Sequence, residues 1–450
     1  MYFVYSLLMA VAAAVLSPIW IWKGLRQGKY LSNLGERLGS SFPGLSGLSA
    51  ERAGVGAIWI HAVSVGEVLS GVALAQKLKA AYPNRPLIVS TTTQTGQALA
   101  RERVKSADAV IYFPFDWAFC VRRALDAVKP ALVIVLETEI WPNFLREADR
   151  RKVPVIFVSG RISDKSFARY QQFFGWAGFY LRPFLRDALG HARAFLMQSG
   201  RDAERVRELG APASRVVVSG NLKYDQALPD ATPMSEWLAG EVERSGRRPL
   251  IVAGSVVSSE EPLALIAFGV VQGEFPNALL VLAPRKPECF QQAADFIQES
   301  RRKFLRRSEL RIAVNGDSNA AGISSDVTVL LLDSIGELAS LYQLADGAFV
   351  GGSLVESGGH NILEPAAFGK IPVFGPSMEN FAEMASRFVS AKAAVQVESP
   401  EDAGVAWIEL LRDPERARGM SETAKRLVDE SRGATARAME EIAKYLGRPA

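Results

Sequence analysis

Two segments of this 450-residue chain concentrate residue types that move protons or hold anions. The first is Ser64-Val65-Gly66-Glu67, which closes the apolar run AIWIHAVS (57–64) and follows it into a helix. Gly66 permits a tight turn after the strand. Glu67 is then either a favourable partner of the helix dipole or, beside His61 and facing a cleft, a general base. Glu137 and Glu139 flank Thr138 directly after a second apolar run. In extended chain i and i+2 point the same way, so these carboxylates form a structural pair satisfied by helix N-termini or arginines, or an acid/base pair. Arg161 and Arg285 each end a strand-like run, where a guanidinium captures a carboxylate or phosphate bidentately, or simply caps the chain. The second segment is GGSLVESGGHNILEP (351–365), with Gly351-Gly352 at a strand end and Gly358-Gly359 ahead of His360-Asn361. A helix is expected from about Leu363, with Glu364 in its first turn. Backbone N–H groups of such a turn, with the helix dipole, make an anion site. The adjacent imidazole and carboxylate suit a ligand with both phosphate and hydroxyls, such as a nucleotide sugar.

Other chemistries are disfavoured. No G-x-x-x-x-G-K-[ST] occurs, and no clean G-x-G-x-x-G follows the first strand, which argues against P-loop and NAD sites. Three histidines and two cysteines show no metal-ligand spacing, so neither a metal nor another cofactor is expected. Cys120 and Cys289 stand far apart, which fits a reducing compartment rather than a disulfide framework. A net charge of +4 is too mild for a nucleic-acid partner. It suits an acidic membrane face or phosphorylated ligands.

Elements must position these groups. From residue 55 on, short β-branched runs alternate with helical stretches. They are 57–64, 86–93, 108–116, 131–139, 154–161, 194–200 and 215–221 in the first half, and 248–255, 277–285, 327–334, 347–353, 371–376 and 393–399 in the second. Runs apolar throughout are what a parallel sheet covered on both faces requires. The fold class is therefore α/β, two Rossmann-like doubly wound domains with a cleft between them. They divide at residues 229–247, a charged, apolar-poor stretch read as a linker. Residues 300–311, SRRKFLRRSELR, read as a cationic helix with a solvated face. The aromatic stretch 166–189 is either core or a surface for lipid.

Residues 1–22, MYFVYSLLMAVAAAVLSPIWIW, carry no charge and end in Trp20 and Trp22, with Lys23, Arg26 and Lys29 following. About 20 apolar residues span a bilayer. With positive charge after the run rather than before it, residues 1–22 read as a single membrane anchor, spanning or lying in the interface. The alternative is a helix packed on the globular body.

The motifs HAVSVGE (61–67), YFPFD (112–116), ETEIWPN (137–143), GNLKYD (220–225), APR (283–285), DSIGEL (333–338) and the run 351–381 together resemble one family. It is the family of transferases of 3-deoxy-D-manno-octulosonic acid (Kdo), anchored glycosyltransferases of the GT-B fold. The resemblance covers the chain from the N-terminus to about residue 385. It implies CMP-Kdo as donor, a lipid A precursor as acceptor and the cytoplasmic face of the inner membrane as location. Domains would then be an acceptor domain over 23–228 and a CMP-sugar domain over 248–450, with the last helix free to pack back on the first. Glu67 resembles the family's base. Ser64, Gly66, Glu137, Glu139, Arg161 and Lys223 fall where acceptor or Kdo would be oriented. Ser255, Pro284, Arg285, Lys286, Ile335, Gly336, Glu337, Gly352, Gly359, His360, Asn361 and Glu364 fall on the donor side. The chain departs from the pattern in Ser255-Val256-Val257-Ser258-Ser259-Glu260-Glu261, which lacks the usual histidine, and in Lys286, which stands where Pro-Arg is usually followed by histidine. The resemblance implies inverting, metal-independent transfer in lipopolysaccharide synthesis. The rivals on the same fold are an enzyme of UDP-sugars, transferase or epimerase, and a sugar-nucleotide binder without catalysis.

Overall fold

A computed structural model describes residues 1–27, 33–46, 55–225, 230–312 and 322–447, without the side chains of 16–27 and 174–177. The chain divides into two compact units, Met1–Gln226 with Ser431–Ala450, and Ala227–Glu430.

The first unit is built on seven parallel strands: β1 Ala57–His61, β2 Leu87–Thr91, β3 Ala109–Tyr112, β4 Pro130–Leu136, β5 Val155–Gly160, β6 Ala194–Met197 and β7 Val216–Val218. Their order is β3-β2-β1-β4-β5-β6-β7. Both faces of this sheet are apolar because successive side chains feed opposite cores. Trp59, Val133, Val135 and Phe157 pack into one core, and Ile58, Ile60, Leu132 and Ile134 into the other. Trp59 is fully buried and meets Phe144 edge-on at 5.3 Å. Truncating such a residue costs about 3–5 kcal/mol. The order reverses between β1 and β4, so the loops after these strands flank the switch point where open α/β sheets bind ligands.

The second unit carries β8 Leu250–Val256, β9 Leu279–Pro284, β10 Lys303–Arg306, β11 Val327–Leu331, β12 Gly347–Val350, β13 Pro372–Phe374 and β14 Val395–Gln396. All are parallel, in the order β10-β11-β9-β8-β12-β13-β14. Here the switch point lies between β8 and β12. Each run expected from sequence has its strand, and β10 is additional. It falls in the stretch read as a cationic helix. Phe304 and Leu305 anchor it against the two faces, while its charged ends suit an exposed sheet edge.

Residues 229–247 are not a bare linker. Helix Pro233–Ser245 opens with a capping box between Thr232 and Ser235. Met234, Leu238 and Val242 bury one stripe of it in the second unit. The charged residues that hid this helix lie on its other faces.

The C-terminal helix Ala434–Leu446 belongs to the first unit, where Ala434, Ala438 and Ile442 join the core with Leu222. Asp225 holds its start, accepting the N–H groups of Gly433 at 2.5 Å and of Thr435. Arg437 Nε donates to the Ser219 carbonyl at 2.6 Å.

Among the described residues no helix is long and apolar enough to cross a membrane. The spanning anchor read at residues 1–22 is therefore unsupported. Helix Tyr2–Gln27 instead packs on the first unit at its start. Tyr2 donates to Asp187 at 2.8 Å and stacks edge-on with Phe184 at 5.1 Å, and Asn143 donates to Ser6 at 3.0 Å. Phe3, Leu8 and Val15 of the same helix stay exposed. The side chains of Trp20, Trp22, Lys23, Arg26 and Lys29, on which the anchor reading leaned, lie outside the described residues. The aromatic stretch divides along its helix, Asp164–Gly190. Phe167, Tyr170 and Leu181 pack on the core, whereas Phe173, Phe179 and Tyr180 face outward.

Candidate functional site

In the first unit the acidic residues gather at the switch point. Ser64 caps helix Val65–Ala81. Its hydroxyl donates to Glu67 Oε1 at 2.8 Å, and the Val63 N–H donates to Oε2 at 2.7 Å. With the Glu67 N–H donating back to Ser64 Oγ at 3.4 Å, these bonds fix the carboxylate's direction. Glu67 is almost fully buried. Burial pushes its pKa up and Glu137's charge adds to the rise, against the bonds from Val63 and Ser64. Gly66 is not needed for the turn, since its φ is not among the positive ones. A Cβ there would meet nothing closer than Ser64 Oγ at 3.9 Å, so space does not demand glycine either. His61 does not work with Glu67. It is fully buried, stacked on Phe113 at 3.7 Å and bonded to Ser90, and burial lowers its pKa to about 3.

Glu137, directly after β4, lies in the left-handed region at φ 56°, and Ser159 near the end of β5 does the same at 58°. Non-glycine residues held this way cost of order 1–3 kcal/mol each and cluster at functional sites. Glu137 accepts from Lys223 Nζ at 3.3 Å. Glu139's pKa is raised to about 7 by burial first, then by the charges of Glu67 and Glu137. Thr138, unremarked in the sequence, accepts the Arg161 backbone N–H at 2.9 Å and ties the ends of β4 and β5 together. Ser64, Gly66, Glu67, Glu137, Glu139, Arg161 and Lys223 thus all lie at the carboxyl edge of one sheet, and charge couples the three glutamates.

In the second unit a cavity of about 780 Å³ is lined by Ser258, Ser259, Arg285, Lys286, Glu356 and His360, among others. Its size is that of an ordinary small-ligand site. Arg285 acts on both His360 and Glu364. Burial, then the arginine's charge, brings His360 down to about 4. Burial raises Glu364, and Arg285 and an Asn361 hydrogen bond oppose the rise. His360 Nε2 is buried and meets no partner among the described residues. Pro284 is the buried last residue of β9, and Ser255, near the end of β8, has φ 56°. On the loop after β11, Ile335 is exposed and Gly336 takes φ 93°. Glu337 is held by Arg307 through two contacts of 2.9 Å.

The glycine-rich run spends several of its backbone N–H groups on the protein itself. Glu260, fully buried, takes the N–H groups of Gly352 at 2.6 Å, Ser353 at 3.0 Å, Leu354 at 2.9 Å and Val257 at 3.3 Å. The Gly359 N–H goes to the Gly352 carbonyl at 2.7 Å, and the Gly358 N–H to Ser377 Oγ at 2.9 Å. The helix expected to supply a dipole is only Leu363–Ala367, with Asn361 Oδ1 on the Leu363 N–H at 3.1 Å. The loop is thus tied to the protein itself, and positive charge at the cavity comes from Arg285 and Lys286. Gly352 and Gly359 are required by shape. Both have positive φ, and side chains there would press on His360 and on Met378. Nothing in the sequence marks Glu260, three of whose four partners lie 92–94 residues away.

Residues 32–226 match the family described as 3-deoxy-D-manno-octulosonic-acid transferase, and residues 315–427 match the group 1 glycosyl transferases. A 3-deoxy-D-manno-octulosonic acid transferase of Haemophilus influenzae is 33% identical over 397 residues, 87% of either chain. One from Bordetella pertussis is 31% identical over 442 residues, 95% of this chain and 96% of that one. Among solved structures, the UDP-GlcNAc 2-epimerase of Neisseria meningitidis bound to UDP-GlcNAc superposes with a TM-score of 0.54. It is 12% identical and covers 86% of this chain and 99% of its own, a likeness of fold alone. Two doubly wound units, a buried carboxylate cluster at one switch point and family identity along most of the sequence agree: the chain belongs to the 3-deoxy-D-manno-octulosonic acid transferase family of glycosyltransferases.

Proposed function

We propose that the protein transfers Kdo from CMP-Kdo to a glucosamine hydroxyl of a lipid A precursor in lipopolysaccharide synthesis. The observation that carries this reading is the fixed, buried Glu67 carboxylate at the switch point of a Kdo transferase. Its pKa is raised, which strengthens it as a base while leaving it ionised above that pKa. Glu67 takes the acceptor hydroxyl proton as the acceptor oxygen bonds to the anomeric carbon of Kdo. The bond from that carbon to the phosphate oxygen breaks, and CMP leaves with the electron pair. A single displacement inverts the anomeric centre. Arg285 and Lys286 stand ready to balance the phosphate or the Kdo carboxylate, so no metal is assigned to the step. Lys286 supplies the charge that a protonated histidine would bring at that position.

The location proposed is the cytoplasmic face of the inner membrane. Helix Tyr2–Gln27 docks on the first unit yet exposes Phe3, Leu7, Leu8, Val11 and Val15, which suits a helix lying in the interface. Turnover assays with CMP-Kdo and with UDP-hexoses, with and without chelator, test the reading. It predicts release of CMP only from CMP-Kdo and indifference to chelator. Turnover of UDP-sugars alone would assign the fold to a different chemistry.

A further inference from the structure

We propose that a small cavity beside the acidic cluster, between Arg161 and Arg169, is a phosphate-monoester subsite for the acceptor. This deepens the transfer reading and rests on it for the identity of the acceptor. The cavity measures about 210 Å³ and is lined by Thr138, Arg161, Ser166, Arg169, Tyr170 and Phe173, with Ile162. That volume admits a phosphate with part of a sugar and excludes a whole nucleotide sugar. Ser166, Arg169, Tyr170 and Phe173 are spaced i, i+3, i+4, i+7 on helix Asp164–Gly190, so they form one stripe. The stripe runs from hydroxyl and guanidinium to phenol and then to a phenyl ring that is 55% exposed. A charged head group attached to an apolar body has the same gradient.

The charges favour an anion. Arg161 directly follows β5, Arg169 stands within the first two turns of the helix, and both line the cavity. Asp164, the nearest acid on that helix, already pairs with Arg201 at 2.6 Å and with Arg205. No ion pair holds Arg169 among the described residues. Two guanidiniums match the oxygens of a phosphate monoester in fork geometry. Tyr170 remains a hydroxyl donor, because burial and then the charge of Glu139 raise its pKa. Thr138 lines the cavity while standing between Glu137 and Glu139. A phosphate gripped here therefore ties the acceptor to the wall of the acidic cluster, and its own charge is offset by the arginines rather than left against three carboxylates.

The same chemistry could come from the donor's phosphate, and the test separates the two. Glucosamine 1-phosphate and glucosamine are titrated calorimetrically into the full chain, with and without saturating CMP. The variants are Arg169→Ala, which removes an exposed side chain, Arg169→Lys, which keeps charge without the fork, and Arg161→Lys. The expectation is at least tenfold tighter binding of the phosphorylated sugar, untouched by CMP, lost in Arg169→Ala and partly kept in both lysine variants. In transfer assays Arg169→Ala should raise the acceptor KM at least tenfold and leave the CMP-Kdo KM in place. Equal binding of the two sugars, unchanged binding in Arg169→Ala, or displacement by CMP would each overturn the subsite. Transfer with an unmoved acceptor KM refutes the subsite and leaves the transfer reading intact. Phosphate-dependent binding without any Kdo transfer does the reverse.

Discussion

Replacing Glu260 by glutamine should loosen the second unit, whereas the same change at Glu261 should not. Both side chains are fully buried. Glu260 satisfies four backbone N–H groups, three of them from the glycine-rich loop. Glutamine keeps the shape but offers one oxygen, and its NH2 group faces N–H donors. Two of the four bonds are lost. Hydrogen bonds to a charged group contribute about 1.5–3 kcal/mol each, and the longest, 3.3 Å from Val257, counts least. The loss is thus about 2–5 kcal/mol. At about 2–4 °C per kcal/mol for a unit of this size, the second unit should melt roughly 4–20 °C lower. CMP binding should weaken at least tenfold as the loop shifts. Glu261 differs, since it bonds nothing in the glycine-rich loop, and burial raises its pKa against the backbone N–H groups of its own turn. A carboxyl raised in the fold contributes stability below its unfolded pKa and loses it as pH rises through the folded one. Glu261→Gln should therefore match wild type in acid and melt higher than wild type at pH 8. Differential scanning calorimetry and CMP titration read both variants. If Glu260→Gln melts and binds CMP as wild type does, the carboxylate is not what holds the loop.

Further consequences concern the first unit. Glu137 raises the pKa of both Glu67 and Glu139, and Glu67 must be ionised to accept a proton. Glu137→Gln should move the acid limb of the kcat/KM profile to lower pH, and an unmoved limb would separate Glu67 from the essential ionisation. Phe3→Asp with Leu7→Asp alters two exposed positions, at 79% and 51%. Burying such side chains contributes about 1.5–3 kcal/mol each, so sedimentation with vesicles of 7:3 phosphatidylethanolamine and phosphatidylglycerol should fall more than tenfold. Unchanged sedimentation would remove helix Tyr2–Gln27 from the membrane contact.

Much of the architecture could be read from residue order because parallel strands bury both faces and so leave uninterrupted apolar runs. ALVIVLETE both marks β4 and places Glu137 and Glu139 at its carboxyl end. The failures have local causes. The edge strand β10 begins in a lysine and ends in an arginine, since an edge faces water. Helix Pro233–Ser245 is charged on its outer faces and shows only a narrow apolar stripe. The apolar N-terminus matched a bilayer span, although Tyr2, Ser6 and Phe184 dock its start on the protein. Glu260 and Glu261 are the same letter twice, and only the fold shows that one grips the glycine-rich loop and the other does not. The glycine run was legible as a tight loop, but the engagement of its Gly352, Ser353, Leu354, Gly358 and Gly359 N–H groups within the protein was not.

Glu67 is proposed to take the acceptor proton in Kdo transfer. Mass spectrometry of the products from CMP-Kdo and a tetra-acylated lipid A precursor, with wild type and Glu67→Gln side by side, tests it most directly. Glutamine cannot accept the proton, and loss of a general base slows turnover about 10²–10⁴-fold. Wild type should form Kdo-modified lipid and Glu67→Gln, at equal time, about a hundredth of it or less. Modified lipid formed at wild-type rate by the variant, or none formed by wild type, would contradict it.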